Sequence, residues 1–455
     1  MKKHKENRYV MFVSLGCDKN LVDSEVMLGK LSERGYSFTD DEEEADVVVV
    51  NTCCFIGDAK EESIQNILEM AELKKAGKIS ALIVTGCLAQ RYREEILDEI
   101  EEVDAILGTT AIEQIADAID QALAGKAENY FEDISAPIGE QEEKRIVTTG
   151  GHFSYLKIAE GCDKHCTYCI IPKVRGNYRS VPMERLIREA RSLAEDGVRE
   201  LILVAQETTL YGVDLYGKKS LPELLHKLCE IDGLRWIRIL YCYPEEITPE
   251  LIQTIREEKK ICHYLDIPIQ HASDAVLRRM GRRTNEEKLR EMIGRLRQEI
   301  PDICLRTTLI TGFPGETQED YEELYRFVNE MEFDRLGVFP YSPEEGTPAA
   351  EMEEQVPESV KCARRDELME LQQEIAFEKA EQTAKEAPVL EAFIEGRLPE
   401  ENVYIARTYR DAPNVDGFLF LAADRELMSG DFVRAKVTGC NEYDLIGEIC
   451  DELTE

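Results

Sequence analysis

No apolar run in this sequence approaches the roughly 20 residues that a membrane-spanning helix needs. The stretch from Tyr9 to Leu15 behind the basic start is too short for a span and has no cleavage-site pattern. It reads as a first strand, not an export signal. Positive charge is also in deficit. Against 92 Asp and Glu stand 55 Lys and Arg, a formal charge of -37. That balance disfavours long-range attraction to nucleic-acid phosphates or anionic membranes and suits a basic partner. The chain has 455 residues, 43% of them hydrophobic and 32% charged, so wholesale disorder is excluded. At roughly 150 residues per domain, about three domains are expected.

Cysteine is plentiful. Fourteen of them would suit a disulfide framework in a small secreted protein, but this chain is large and shows no export signal, so the reducing cytoplasm is expected. Reduced cysteines in clusters then point to metal or redox chemistry. Scattered ones read as small core residues.

Residues 8–125 alternate short apolar runs with helical patterns. Tyr9 to Leu15, Asp46 to Asn51, Ile79 to Thr85 and Asp104 to Leu107 are expected as strands of a parallel sheet with helices on both faces. Residues 126–147, with an acidic run at Glu140, Glu142 and Glu143, read as a linker. Within 148–379 a second series follows, with strands expected at Tyr155 to Ala159, Leu201 to Ala205, Trp236 to Tyr241, Tyr264 to Pro268, Ile303 to Leu309 and Arg335 to Pro340. Six parallel strands are too few for a closed eightfold barrel and suit a partial one. A charged helix from about Val360 to Lys385 leads away from it. Residues 380–450 carry five short β-rich runs, at Val389 to Glu395, Asn402 to Arg407, Phe418 to Leu421, Asp431 to Val437 and Asp444 to Cys450, which suggest a small β-barrel. No internal repeat goes beyond the βα alternation.

The strongest local signal is Cys162-x3-Cys166-x2-Cys169, on a short loop after the first strand of the central domain. Iron-sulfur clusters are held by thiolates, and three on a cubane leave one iron open to bind something else. Structural zinc is the alternative, but it normally takes four ligands in paired Cys-x2-Cys units, and no second pair lies nearby. Cys17, Cys53 and Cys87 form a second set. Each follows an expected parallel strand by a residue or two, so Leu15-Gly16-Cys17, Asn51-Thr52-Cys53 and Thr85-Gly86-Cys87 converge where ligand sites of α/β sheets lie. Three buried core cysteines are the alternative here. Cys54 points elsewhere if Cys53 is a ligand.

The Cys162 loop and the partial-barrel pattern resemble the radical S-adenosylmethionine enzymes. The resemblance implies that the open iron chelates the amino and carboxylate groups of S-adenosylmethionine. Electron transfer then releases a 5'-deoxyadenosyl radical that abstracts hydrogen. Two three-cysteine sets followed by a small barrel resemble the methylthiotransferases, whose terminal barrel is called TRAM. Four stretches resemble the branch that methylthiolates the β-carbon of an aspartate in a small-subunit ribosomal protein: Ser14 to Glu25; Tyr168 to Pro172 with Arg175-Gly176; Tyr264 to His271; and Tyr409 to Gly417. Transfer-RNA members typically carry a glutamine-methionine pair where this chain has Asp18-Lys19. The resemblance implies two 4Fe-4S clusters, two S-adenosylmethionine molecules per turnover, an electron donor and a sulfur donor. The partner it implies is a basic ribosomal protein, free or on the ribosome, with no membrane and no transfer RNA. A transfer-RNA adenosine methylthiotransferase and a non-catalytic iron-sulfur carrier are the rival readings.

Other residues invite a role around the expected mouth. Glu207 ends the second core strand, where the radical enzymes often have a Gly-Gly-Glu-like turn against the methionine amino group; here Ala205-Gln206 precede it. Gly312, in Thr311 to Thr317, lets backbone approach an adenosyl group, while Thr317-x-x-Asp320 can cap the next helix. Gln270 and His271 face the same mouth, with His271 read as hydrogen-bonded scaffold or as catalyst. The run Arg278, Arg279, Arg282 and Arg283 reads as a solvated helix face or an RNA contact. Cys229, Cys242, Cys262, Cys304, Cys362, Cys440 and Cys450 read as packing residues. The residues 387–455 hold 15 acidic against 6 basic side chains, which favours a basic protein over RNA on the barrel.

Overall fold

Val47 to Thr52 and Ala81 to Gly86 are buried at every position, as expected of parallel strands covered on both faces. They are the centre of the first domain in a computed structural model that describes residues 8–126, 129–140, 144–398 and 402–452. Its elements run β1 (Tyr9–Ser14), α1 (Asp18–Arg34), β2 (Ser37–Phe38), β3 (Val47–Thr52), α2 (Gly57–Lys75), β4 (Ala81–Gly86), α3 (Cys87–Glu99), β5 (Ala105–Leu107) and α4 (Ile115–Leu123). The sheet is parallel in the order β2-β1-β3-β4-β5. The two-residue β2 is an addition to the expected set, too short to show any alternation.

The described residues of the stretch read as a linker, 129–140 and 144–147, make contacts to both domains they join. Tyr130 bridges Leu107 beside β5, and Ile146 donates its N–H to the Glu25 carbonyl at 3.0 Å. Glu142 and Glu143 lie outside the described residues.

The central domain carries β6 (Phe153–Lys157), β7 (Ala159–Glu160), α5 (Ile171–Val174), β8 (Arg179–Ser180), α6 (Met183–Glu195), β9 (Glu200–Val204), α7 (Val213–Tyr216), α8 (Leu221–Cys229), β10 (Trp236–Ile239), α9 (Pro249–Glu257), β11 (Ile261–Asp266), α10 (Asp274–Arg279), α11 (Glu286–Glu299), β12 (Cys304–Thr311), α12 (Gln318–Met331), β13 (Arg335–Pro340) and α13 (Glu358–Glu386). Six strands form an open parallel sheet in the order β13-β12-β11-β10-β9-β6, which bears out the partial barrel. The run expected as one strand to Ala159 is divided: β7 turns away to pair with β8. The Thr317 and Asp320 capping box starts α12 as expected.

β14 (Val389–Arg397), β15 (Val403–Arg407), β16 (Leu419–Ala422), β17 (Phe432–Asn441) and β18 (Asp444–Glu452) close a barrel in the order β14-β15-β16-β18-β17. It plugs the amino-terminal ends of the core strands. Phe393 and Phe432 pack on Trp236 at the start of β10, and Ala412 joins Phe153 and Cys304 in the same apolar cluster. A fully buried ion cluster pins this junction. Glu200 accepts from Arg238 Nε at 2.8 Å and from Arg407 Nη2 at 2.6 Å. Burial pushes the Glu200 carboxyl up, but the two guanidinium groups outweigh it and hold it below the ordinary glutamate value of 4.5. Glu200→Gln leaves two buried cations short of their anion, so a loss of about 3 kcal/mol is expected, read as a lowered urea midpoint. A lowered carboxyl stabilises above its unfolded value, and that stability disappears as pH falls through the lowered value. Native and variant midpoints should therefore converge in acid.

Candidate functional site

Parallel pairing in register brings three strand ends together. Ser14 stands opposite Asn51, Asn51 opposite Thr85 and Thr52 opposite Gly86 on the adjacent strands β1, β3 and β4. The next residues out carry Cys17, Cys53 and Cys87. Gly16, at φ 91°, has no room for a side chain: a β-carbon there would lie 2.7 Å from Cys53 Cβ and 3.1 Å from its Sγ. Cys17 precedes α1 as its N-cap residue and Cys87 opens α3. Asn20 on α1 ties the ends, with Nδ2 donating to the Leu15 carbonyl at 3.0 Å and the Thr52 carbonyl at 2.9 Å. Cys54, fully buried, packs with Val48, Val50 and Ile67 in an apolar cluster that also takes in Cys87. Burial raises the Cys53 thiol and pushes Cys87 up to about 12, so loading a metal there must expel protons.

The second set sits on the loop between β7 and α5. Cys162 N–H donates to the Gly176 carbonyl at 3.1 Å, and Cys169 N–H to the Cys166 carbonyl at 3.0 Å, folding the loop back on itself. Thr167 pins it to the core through Met280, its N–H donating at 3.0 Å. Cys166 Sγ and the Tyr243 hydroxyl are 2.6 Å apart. Burial pushes Cys162 up to about 12, with smaller contributions from Glu207 and Cys166. Among the described residues no three His, Cys, Asp or Glu side chains stand close enough to share a single metal ion. A cluster asks something else of its ligands, because each thiolate binds a different iron.

Arg175 joins the two sets across the domain interface. Its Nε donates to Cys87 Sγ at 3.3 Å, its Nη1 reaches Asp23 at 2.6 Å and Glu160 at 3.3 Å, and its Nη2 donates to Asn20. Glu160, two residues before Cys162, in turn accepts from Gln206 Nε2 at 2.9 Å. Burial works against the charges here. Glu160 nonetheless sits far below the ordinary carboxyl value because Lys157 and Arg175 both face it. Asn20 and Arg175 fall within the stretches Ser14 to Glu25 and Tyr168 to Gly176, yet their local pattern carries no role for either, because their partners lie up to 155 residues away.

Glu207 is fully buried at the end of β9. Thr209 donates to one of its oxygens, at 3.0 Å from the backbone, and the other oxygen, Oε2, has no partner. Burial pushes this carboxyl up to about 7. Gln206 Oε1 and Gln270 Oε1 are likewise buried without partners at the same end of the sheet. These acceptors fit a ligand that brings donors or positive charge. Gly312, at φ 69°, has its α-carbon against Lys361 of α13, and its N–H donates to Glu316 at 2.8 Å. That packing explains the glycine without a ligand and leaves only its backbone to face one.

His271 is scaffold. Its Nδ1 accepts from Ser273 N–H at 3.0 Å, and its Nε2 lies 3.5 Å from Glu316. The expectation of a solvated arginine face is corrected at Arg282, which is buried. Its guanidinium lies 3.8 Å over the Tyr243 ring, under the Cys166 loop, with Nη2 donating to the Pro268 carbonyl at 2.8 Å. Cys242, Cys262 and Cys304 are buried as expected of packing residues, whereas Cys450 is exposed.

Residues 9–108 match the family model described as Uncharacterized protein family UPF0004, residues 156–328 the Radical SAM superfamily and residues 388–450 the TRAM domain. The chain is 64% identical over 438 residues to the ribosomal protein uS12 methylthiotransferase RimO of Lachnoclostridium phytofermentans, covering 96% of this chain and 99% of that protein. It is 49% identical over 444 residues to the protein of the same name from Clostridioides difficile, covering 97% and 98%. Among solved structures it is similar to the radical S-adenosylmethionine methyltransferase TsrM of Kitasatospora setae, with a TM-score of 0.55, 13% identity and coverage of 75% and 74%. That likeness is one of fold.

Proposed function

We propose that this chain, which belongs to the RimO family of ribosomal protein uS12 methylthiotransferases, replaces a C–H bond on the β-carbon of an aspartate in that ribosomal protein by C–SCH3. The hydrogen-bond chain through Arg175 carries the reading. It ties the strand end at Cys87 to Glu160 and so to the Cys162 loop, an arrangement suited to two centres that act on one carbon.

In this reading Cys17, Cys53 and Cys87 hold one 4Fe-4S cluster, and Cys162, Cys166 and Cys169 hold another that also binds S-adenosylmethionine. When bound, these groups would relay the electron and carry the sulfur that separate donors provide, while S-adenosylmethionine would supply the hydrogen-abstracting fragment and the methyl group. The protein's own part is placement. Arg175 and Asn20 fix the strand ends, and Tyr243 and Arg282 back the Cys166 loop. Glu207 offers its unpartnered oxygen to the cationic amino group of S-adenosylmethionine, and the Gly312 backbone lies at the same mouth.

Glu207→Gln removes a charge-assisted hydrogen bond worth about 1.5–3 kcal/mol. The dissociation constant for S-adenosylmethionine, measured by equilibrium dialysis of the reconstituted protein, should rise about tenfold to hundredfold. An unchanged constant removes Glu207 from the pocket.

The work is assigned to the cytoplasm, with separate electron and sulfur donors. No helix of the described residues is long and apolar enough to cross a membrane. The acidic barrel is proposed to hold the body of the basic substrate by complementary charge, an effect mainly on encounter rate and one that added salt weakens. The test offers the reconstituted enzyme ribosomal small subunits and, separately, transfer RNA, and looks for the mass of an added methylthio group. Addition to uS12, slowing as salt rises, is the expected result. Modified adenosine with an untouched ribosomal protein would overturn it.

A further inference from the structure

Lys19 is 6% exposed, at the seam between the first domain and the inner face of the core sheet, two residues after Cys17. Its helix α1 packs Leu21 and Val22 into the same apolar cluster as Tyr155 of β6 and Tyr241, just beyond the carboxyl end of β10. The ammonium lies 3.3 Å from the centroid of the Tyr241 ring, and its one carboxylate contact among the described residues is Asp18 Oδ1 at 3.1 Å. That oxygen is shared, because the Tyr241 hydroxyl also donates to it at 3.0 Å. Tyr241 is held in place by its own backbone. It sits at φ 59°, in the left-handed region, with its N–H donating to Asp266 at 3.1 Å.

The other buried cations along this seam are committed. Arg175 faces Asp23 and Glu160, Lys157 faces the same two carboxylates, and Arg91 faces Glu344 at 2.7 Å. An ammonium carries three donors, and removing it from water costs several kcal/mol unless the interior satisfies it. Asp18 takes one donor and the Tyr241 ring and hydroxyl partly satisfy another, while the second Asp18 oxygen, Oδ2, is itself buried without a partner. The remaining donor capacity suits an incoming anion, two residues from Cys17 and on the ring of Tyr241, itself two residues before the Tyr243 that meets Cys166.

Resting on the aspartate reading above, we propose that Lys19 receives the side-chain carboxylate of the target aspartate. A carboxylate held there presents its β-carbon one bond away, so a single contact both selects the substrate and sets the position of the reacting carbon. Lys19 is then a specificity-determining residue of the first domain, and substrate recognition is not confined to the terminal barrel.

The experiment compares uS12 carrying its native aspartate with uS12 carrying asparagine at that position, on wild type, Lys19→Met and Lys19→Arg. Wild type should modify the aspartate form at least about tenfold better in kcat/KM. Lys19→Met keeps the length and loses the charge, so it should raise KM for the aspartate form and bring the two forms within about threefold. Lys19→Arg should restore most of the preference. Wild type that treats both forms alike overturns the inference without any enzyme variant, as does Lys19→Met with full iron content and an undiminished preference. If Lys19→Met fails to load iron, the wild-type and Lys19→Arg comparisons decide. Wild type that modifies no uS12 at all sinks the functional reading itself, a separate outcome.

Discussion

Replacing Cys162, Cys166 and Cys169 together by alanine is expected to lower the iron content after anaerobic reconstitution from about eight to about four per chain. Cleavage of S-adenosylmethionine to 5'-deoxyadenosine should fall below detection. The loop is held mainly by backbone contacts, through Gly176, Met280 and the Cys166 carbonyl, so the alanine variant should fold. What it loses is the thiolate set and, on the proposed reading, the cluster that would bind S-adenosylmethionine. Iron analysis and chromatography of the quenched reaction read the two effects separately. Release of 5'-deoxyadenosine by the triple variant would show that this loop is not where S-adenosylmethionine is cleaved.

The convergence of Cys17, Cys53 and Cys87 was legible because parallel strands in register leave no choice about where their carboxyl ends lie. A βα alternation alone is enough to bring together residues that are far apart in sequence. The partial barrel was legible for the same reason. The polar network between the two cysteine sets was not. Asn20, Asp23, Glu160 and Arg175 sit in segments whose local pattern says only helix, strand end or loop, and each becomes meaningful through a partner in another domain. A fainter signal was available at the far end of the core. Arg238 lies between Ile237 and Ile239 in a strand that is buried throughout, and a charge in that position requires a buried counter-charge. Glu200 supplies it, and Arg407 brings the barrel to the same point. Arg282 misled for the opposite reason: a run of four arginines looks solvated, yet one of them turns inward onto Tyr243.

Replacing Cys17, Cys53 and Cys87 together should also leave about four irons per chain, yet with a different loss of function. S-adenosylmethionine should still be cleaved, because the Cys162 loop, Glu207 and the mouth of the core sheet belong to another domain. No methylthio group should reach uS12. The separation is sharp because the contacts across the seam are side-chain ones: Arg175 loses its Cys87 partner but keeps Asp23, Glu160 and Asn20. Cys54 supplies the internal control. Its side chain packs with Val48, Val50 and Ile67 in the cluster that also holds Cys87, and on the proposed assignment Cys54→Ala removes a small buried thiol, at a cost on the order of 1 kcal/mol of stability, and leaves the ligand set intact. Its iron content should therefore match wild type. A Cys54→Ala variant that drops to about four irons, alongside a Cys53→Ala variant that keeps about eight, would reverse the choice between the neighbours. The ligand would then be the neighbour that shares an apolar cluster with Cys87.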